Sequence, residues 1–194
     1  MNRHKRHTGV SLFIVSILFC HQVLSQNLFR QAAGTSIVVS GTSTLHDWTL
    51  KSNDIRISAT VQIADSELTA LHSLSVVMPT KSLKSGHTAM DRNTYSTIDA
   101  DAYPTIEFKL LSATISNAVI HCTGQLIVAG VTKRINFDTV FKIDSAQNLS
   151  CTGSIKMRMS DFNIEPPSFM FGTVTTGNEI TISFRANLVG QSHS

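Results

Sequence analysis

From Asp54 onward, apolar and polar residues alternate one by one along the chain, and the same sorting recurs in segment after segment. "DIRISATVQI" places Ile55, Ile57, Ala59, Val61 and Ile63 on one face and Arg56, Ser58, Thr60 and Gln62 on the other. "TIEFKL" sets Ile106, Phe108 and Leu110 against Glu107 and Lys109, and "RINFDTVFKI" sets Ile135, Phe137, Phe141 and Ile143 against Arg134, Asn136, Asp138 and Lys142. "SCTGSIKMRM" gives Cys151, Ile155, Met157 and Met159 one face, and "EITISFRANL" does the same for Ile180, Ile182, Phe184, Ala186 and Leu188. Period-two patterning of this regularity predicts half-buried antiparallel strands with one dry face and one wet face. Segments 35–41, 71–78 and 119–129 bring the expected strands to eight.

Eight strands whose apolar faces all point the same way are best satisfied by closing into a barrel, which also removes the exposed edges of an open sheet. The expected fold is therefore all-β, a single antiparallel eight-stranded barrel, with a two-sheet sandwich as the competing arrangement. "AGVTKR" and "DSAQN" each join two runs within a few residues, as meandering hairpins require. The connection 79–104 is longer. Its middle, 88–100, lacks strand alternation and fits one short helix across a barrel end, and Pro104 fixes where the next strand begins. Adjacent Pro166 and Pro167 cannot donate ladder hydrogen bonds and mark a second irregular stretch.

Ahead of this pattern, Arg3, Lys5 and Arg6 precede an apolar run over 10–19 and then "VLSQ". That combination predicts a secretory signal over 1–25, and an exported, periplasmic domain over 26–194. The run is shorter than the roughly 20 residues of a spanning helix, so no membrane span is expected. Leu18 and Phe19 are too bulky for the lipid-attachment motif that Cys20 would otherwise suggest. Of the 16 Lys and Arg three lie in the leader, with none of the 13 Asp and Glu, so the chain from Gln26 carries 13 of each sign. A neutral domain offers no basic field for nucleic acid.

Two cysteines remain, Cys122 and Cys151. If 119–129, 134–143 and 149–159 are consecutive strands, both flank Phe141 two strand spacings apart, roughly 9–10 Å. That exceeds the ~7 Å limit between Cα atoms of a disulfide, so both read as small core residues.

Chemistry is sparse. "STLHDW" carries the only tryptophan, Trp48, beside His46 and Asp47, which in an extended segment point to opposite faces. No nucleophile elbow, phosphate-cradling glycine loop or paired carboxylates appear, and His46, His72, His87 and His121 have no metal-ligand spacing. No catalytic, metal or cofactor site is expected. The bland reading of His46 is a hydrogen-bonded histidine closing a barrel end beside Trp48. The larger signal is the apolar face. Large inward side chains such as Met78, Phe108, Phe137, Phe141, Met157, Met159 and Phe184 are interrupted by small ones at Ala59, Cys122, Gly124, Thr139, Cys151, Gly153 and Ala186. Patterning alone leaves both a packed core and a ligand cavity open.

Read together, "GTSTLHDW", "SLKSGHTAMDRNTY", "YPTIEF", "GQLIVAGVTK" and "DFNIEPPSFMFGTVTTGNEITISF" closely resemble the YceI-like family of exported bacterial proteins, from about Gly34 to Leu188. The matching positions are Leu45, His46 and Trp48; Ser82 to Gly86 with Met90 and Asp91; and Asp161, Phe162, Pro166 and Pro167. The resemblance implies a lipocalin-like barrel whose lumen holds a long isoprenoid or similar amphiphile, with no catalytic residues and no cofactor. Candidate ligand contacts are then Leu45, His46 and Trp48 at one barrel end and Met78, Phe108, Leu126, Ile135, Phe137 and Phe141 along the wall. Ile155, Met157, Met159, Phe162, Ile182 and Phe184 complete the set. Ile98 and Asp99 stand where a Leu-Lys pair is common in the family, so the lysine that could meet a phosphate head group is missing, while Lys84 remains nearby in sequence. The implied role is an exported lipid carrier or reservoir with 79–104 as its lid. A packed-core interaction module and an enzyme using His46 are the alternatives, and the oligomeric state is left open, a homodimer included.

Overall fold

The computed structural model describes residues 26–169 and 171–191. The expected leader and Cys20 lie outside the described residues. The elements run β1 (Gln26–Gln31), β2 (Ser36–Ser43), β3 (Trp48–Ser52), β4 (Arg56–Ala64), β5 (Glu67–Pro79), α1 (Thr88–Thr97), β6 (Thr105–Ser116), β7 (Val119–Val128), β8 (Val131–Ile143), β9 (Leu149–Arg158), β10 (Ser168–Phe169) and β11 (Val174–Gly190).

Antiparallel pairing runs β1-β4-β5-β6-β7-β8-β9-β11, and β11 pairs again with β1. Eight strands therefore close into a barrel, and the sandwich is excluded. Strand β11 is long enough to serve two neighbours on one edge: Leu188–Gly190 pairs with β1, and the Thr176–Arg185 segment with β2. Thus β1 and β2 occupy one place in the wall in succession, and β3 lies against β2. The break between them is tied to the side chain and backbone of Asn187, whose carbonyl accepts from Ala32 N–H (2.7 Å) and Thr35 Oγ1 (3.1 Å). Its Nδ2 donates to the Ala33 carbonyl at 2.9 Å.

Three hairpins turn on two residues with positive φ: Asp65-Ser66, Asn117-Ala118 and Ala129-Gly130. Turns of that hand match the twist of the strands they join. They also set register, because a slip of one residue would turn every apolar side chain outward. In β6 the pairing steps from Leu110↔Gly124 to Ser112↔Thr123, so Leu111 is an extra residue and is 52% exposed. The Ala129-Gly130 turn corrects one expectation. Cys122 lies opposite Phe137, and only Cys151 lies opposite Phe141. Both thiols are buried and unpaired, and burial pushes them up to about 11 and about 12 respectively.

The connection from β5 to β6 contains the short helix expected there, α1. The proline-rich stretch forms a 3-10 turn over Met159–Phe162, with Asn163 in the left-handed region, and places Phe162 and Ile164 in the core. Among the described residues no helix is long and apolar enough to cross a membrane.

Candidate ligand-binding site

The inward faces do not fill the barrel. A cavity of about 350 Å³ lies at the end covered by α1, and a second of about 150 Å³ lies deeper. Together they fall within the range of small-molecule sites. Among the described residues only Leu126 on β7 and Ile182 on β11 line both, so these two side chains mark where the chambers meet.

The mouth chamber is walled by β2, β3, β6, β7, β9 and β11, through residues such as Val39, Leu50, Ile106, Val128, Met157 and Ile180. Its roof is α1 and the residue that caps its C-terminus, which present Met90, Asn93, Thr94, Thr97 and Ile98. These positions recur at helical spacing and so form one face. Among the described residues that line it none is Lys, Arg, Asp or Glu, and His46 is the only titratable side chain. Ile98, where the family commonly has Leu, faces the chamber as an apolar residue, and Asp99, where it commonly has Lys, is not part of the lining.

The roof is tied down at several points. Lys51 and Lys84 exchange both backbone hydrogen bonds (2.8 and 2.9 Å), joining β3 to the β5–β6 connection. Thr80 N–H donates to the Pro104 carbonyl at 2.8 Å, and its hydroxyl donates to the Tyr103 carbonyl at 2.7 Å, so the two ends of the connection meet. The Tyr95 hydroxyl lies 2.7 Å from the Leu83 carbonyl. Asp91 Oδ1 accepts from Ser85 N–H and Ser85 Oγ, each at 2.7 Å. Those two donors, with Lys84 adding attraction, hold the Asp91 carboxyl below the usual carboxylate range. Lys84 lies 3.9 Å from Asp91 and over the Tyr95 ring, and it is not part of the chamber lining.

A carboxyl whose folded pKa is depressed stabilises the fold above its unfolded pKa, and that contribution is lost as pH falls through the folded value. Protection of the Ser85 amide from hydrogen exchange, corrected for intrinsic rates, should therefore fall as pH drops through the depressed Asp91 pKa. In Asp91→Asn it should already be reduced at neutral pH. A Ser85 amide equally protected in both proteins would contradict this anchoring.

"STLHDW" is a turn, not an extended segment. Ser43 Oγ donates to the His46 carbonyl at 2.7 Å, and His46 Nδ1 donates to the Asp47 carbonyl at 2.9 Å. Trp48 Nε1 donates to the Thr42 carbonyl at 3.1 Å, with the indole lying over Gly41. Leu45 is 70% exposed and His46 is exposed, so they form the rim of the mouth, and half-buried Trp48 forms the wall beneath them.

The remaining nominated residues divide by height in the barrel. Met157, Met159, Phe162, Leu126 and Ile182 line the mouth chamber, as do the three residues of the turn. Phe108, Ile135, Phe137, Ile155 and Phe184 line the deeper one. Met78 and Phe141 line neither and belong to the packed core. Sequence reasoning missed the face of α1, because Asn93, Thr94 and Thr97 give it no apolar stripe. Spacing alone carried that signal. It also missed Ile164 and Pro167, whose loop has no period to read. Among the described residues no group of three or more His, Cys, Asp or Glu could hold a metal ion.

Residues 26–188 match the family model of the YceI-like domain. The chain belongs to the YceI-like family. Solved structures similar to this YceI-like protein include a polyisoprenoid binding domain from Saccharophagus degradans implicated in plant cell wall breakdown. It is 9% identical over 86% of this chain and 100% of that one, with a TM-score of 0.64. BcnA of Burkholderia cenocepacia is 16% identical, covering 79% of this chain and 96% of that one, with a TM-score of 0.60. The YCEI protein of Campylobacter jejuni is 17% identical over 100% of both chains, with a TM-score of 0.58. At these identities the likeness is one of fold. No curated protein matches the chain.

Proposed function

We propose that this YceI-like protein binds a long isoprenoid or similar amphiphile with an uncharged head group in its barrel lumen, as an exported, periplasmic carrier or reservoir. It acts by binding and not by catalysis. The observation that carries this reading is the pair of apolar chambers beneath α1, with no Lys, Arg, Asp or Glu among the described residues that line them. An interior packed to ordinary protein density holds few voids larger than a water molecule, so space on this scale favours cargo over a packed-core module. Among the described residues the ring of exposed His46, with Nδ1 committed to a backbone carbonyl, makes no hydrogen bond to a nucleophile or carboxylate. The polyisoprenoid-binding domain among the similar folds adds support by analogy of fold only.

The energetics suit such cargo. At about 0.8 kcal/mol per buried methylene, a chain of some 20 carbons has a gross driving force on the order of 16 kcal/mol. Ordering the ligand removes a good part of that. Tight binding therefore needs no ionic anchor, and Asn93, Thr94 and Thr97 offer neutral partners to a hydroxyl or carbonyl. A diphosphate head would have to leave water without cations to receive it.

Trp48 is the only tryptophan and lines the mouth chamber, so its fluorescence reports occupancy. Titration with geranylgeraniol should shift the emission, and geranylgeranyl diphosphate should bind at least about tenfold more weakly, given the cost of desolvating its charge. Tighter binding of the diphosphate would contradict the uncharged-head reading.

A further inference from the structure

The deeper chamber is lined by three aromatic rings next to the level where Leu126 and Ile182 join it to the mouth chamber, and those rings have seats. Phe108 on β6 packs edge-on to Phe137 on β8 with centroids 5.5 Å apart, and Phe137 packs edge-on to Phe184 on β11 at 5.6 Å. These strands alternate with β7 and β9, and each intervening strand carries a glycine at the level of the rings. Gly124 on β7 lies under Phe108, where a Cβ would collide with the ring. Gly153 on β9 is the register partner of Phe184, and a Cβ there would lie 2.5 Å from the ring's Cζ. Without side chains at these two positions, Phe108 and Phe184 lie down across the lumen and meet Phe137 between them. All three rings line the deeper chamber and none lines the mouth chamber.

We propose that Phe108, Phe137 and Phe184 form a stop that sets the length of hydrocarbon this barrel accepts. The inference rests on the lipid-binding reading and adds a specificity device to it. Along β11 the mouth chamber is lined from Val174 to Ile182 and the deeper one from Ile182 to Leu188. At about 3.3 Å per residue and a strand tilt near 40°, these stretches correspond to roughly 20 Å and roughly 15 Å along the barrel axis. The stop therefore withholds the inner, shorter part of the lumen until a ring turns aside. Edge-on pairs of this kind are mutually stabilising, which favours the closed arrangement.

The test is a chain-length series read by Trp48 fluorescence: geraniol, farnesol, geranylgeraniol and an eight-unit prenol, presented to the folded full-length protein. Each buried methylene gives roughly a fourfold gain in affinity, so a stop appears as a break in a steep series. Wild-type affinity should rise over the shorter prenols and then level off. In Phe137→Ala and the milder Phe137→Leu the rise should continue, with at least about a tenfold gain for the longest prenol over wild type. Phe141→Ala, which opens the packed core but lines neither chamber, should keep the wild-type break. A wild-type series that climbs without a break overturns the stop, as does a break at the same length in both Phe137 variants. If folded wild type binds none of the prenols, the lipid-binding reading fails and the stop fails with it.

Discussion

Ile182→Asp should lower affinity for a prenol by at least about a hundredfold while leaving the free protein folded. Ile182 lies midway along β11, opposite Ile155 on β9 and Val39 on β2, and is one of two side chains lining both chambers. In the free protein a carboxylate there can keep water in the space around it, so folding bears little of the cost. A bound hydrocarbon removes that water. The effective penalty for burying an unpaired ion is several kcal/mol, and 1.4 kcal/mol corresponds to a factor of ten in affinity. Occupancy also disfavours the charged form, which raises the carboxyl pKa in the complex. Affinity should therefore recover as pH is lowered toward the ordinary carboxyl range near 4. Unchanged binding at neutral pH would place the hydrocarbon outside the lumen.

Gly124→Ala should lower the melting temperature by about 5–10 °C. The added Cβ meets the Phe108 ring and lies 2.7 Å from the Lys109 carbonyl, and the backbone cannot swing aside as a flexible side chain can. Overpacking a well-ordered core typically costs about 1–3 kcal/mol, and each kcal/mol shifts the midpoint by about 2–4 °C in a domain of this size. Because the displaced ring belongs to the aromatic stop, the variant's prenol series should change along with its stability. A melting temperature within a degree of wild type would show that the ring does not rest on this glycine.

Much of the barrel was legible from alternation, because period two reports directly which face of a strand is dry. The eight expected strands correspond to β2, β4 to β9 and β11. Strand β1 was not legible: "NLFR" offers only Leu28 and Phe29 as apolar residues and adjoins the expected leader. Strand β3, five residues following a turn, is too short for a period to show. Parity also says nothing of height along the barrel axis. Met78 and Phe141 point to the dry side but meet packed neighbours, whereas Phe137, four residues earlier on the same strand, reaches open space. The register of Cys122 depended on a two-residue turn whose type no composition rule fixed. The roof of the site was hidden for a chemical reason: a helix that faces the chamber with Asn93, Thr94 and Thr97 carries no apolar stripe.

The most direct test of the central claim is native mass spectrometry of the protein purified gently from its exported fraction, followed by organic extraction and lipid analysis. The account predicts a stoichiometric adduct that extracts as an isoprenoid or similar amphiphile with an uncharged head. Protein at its apo mass that takes up no added prenol would contradict it.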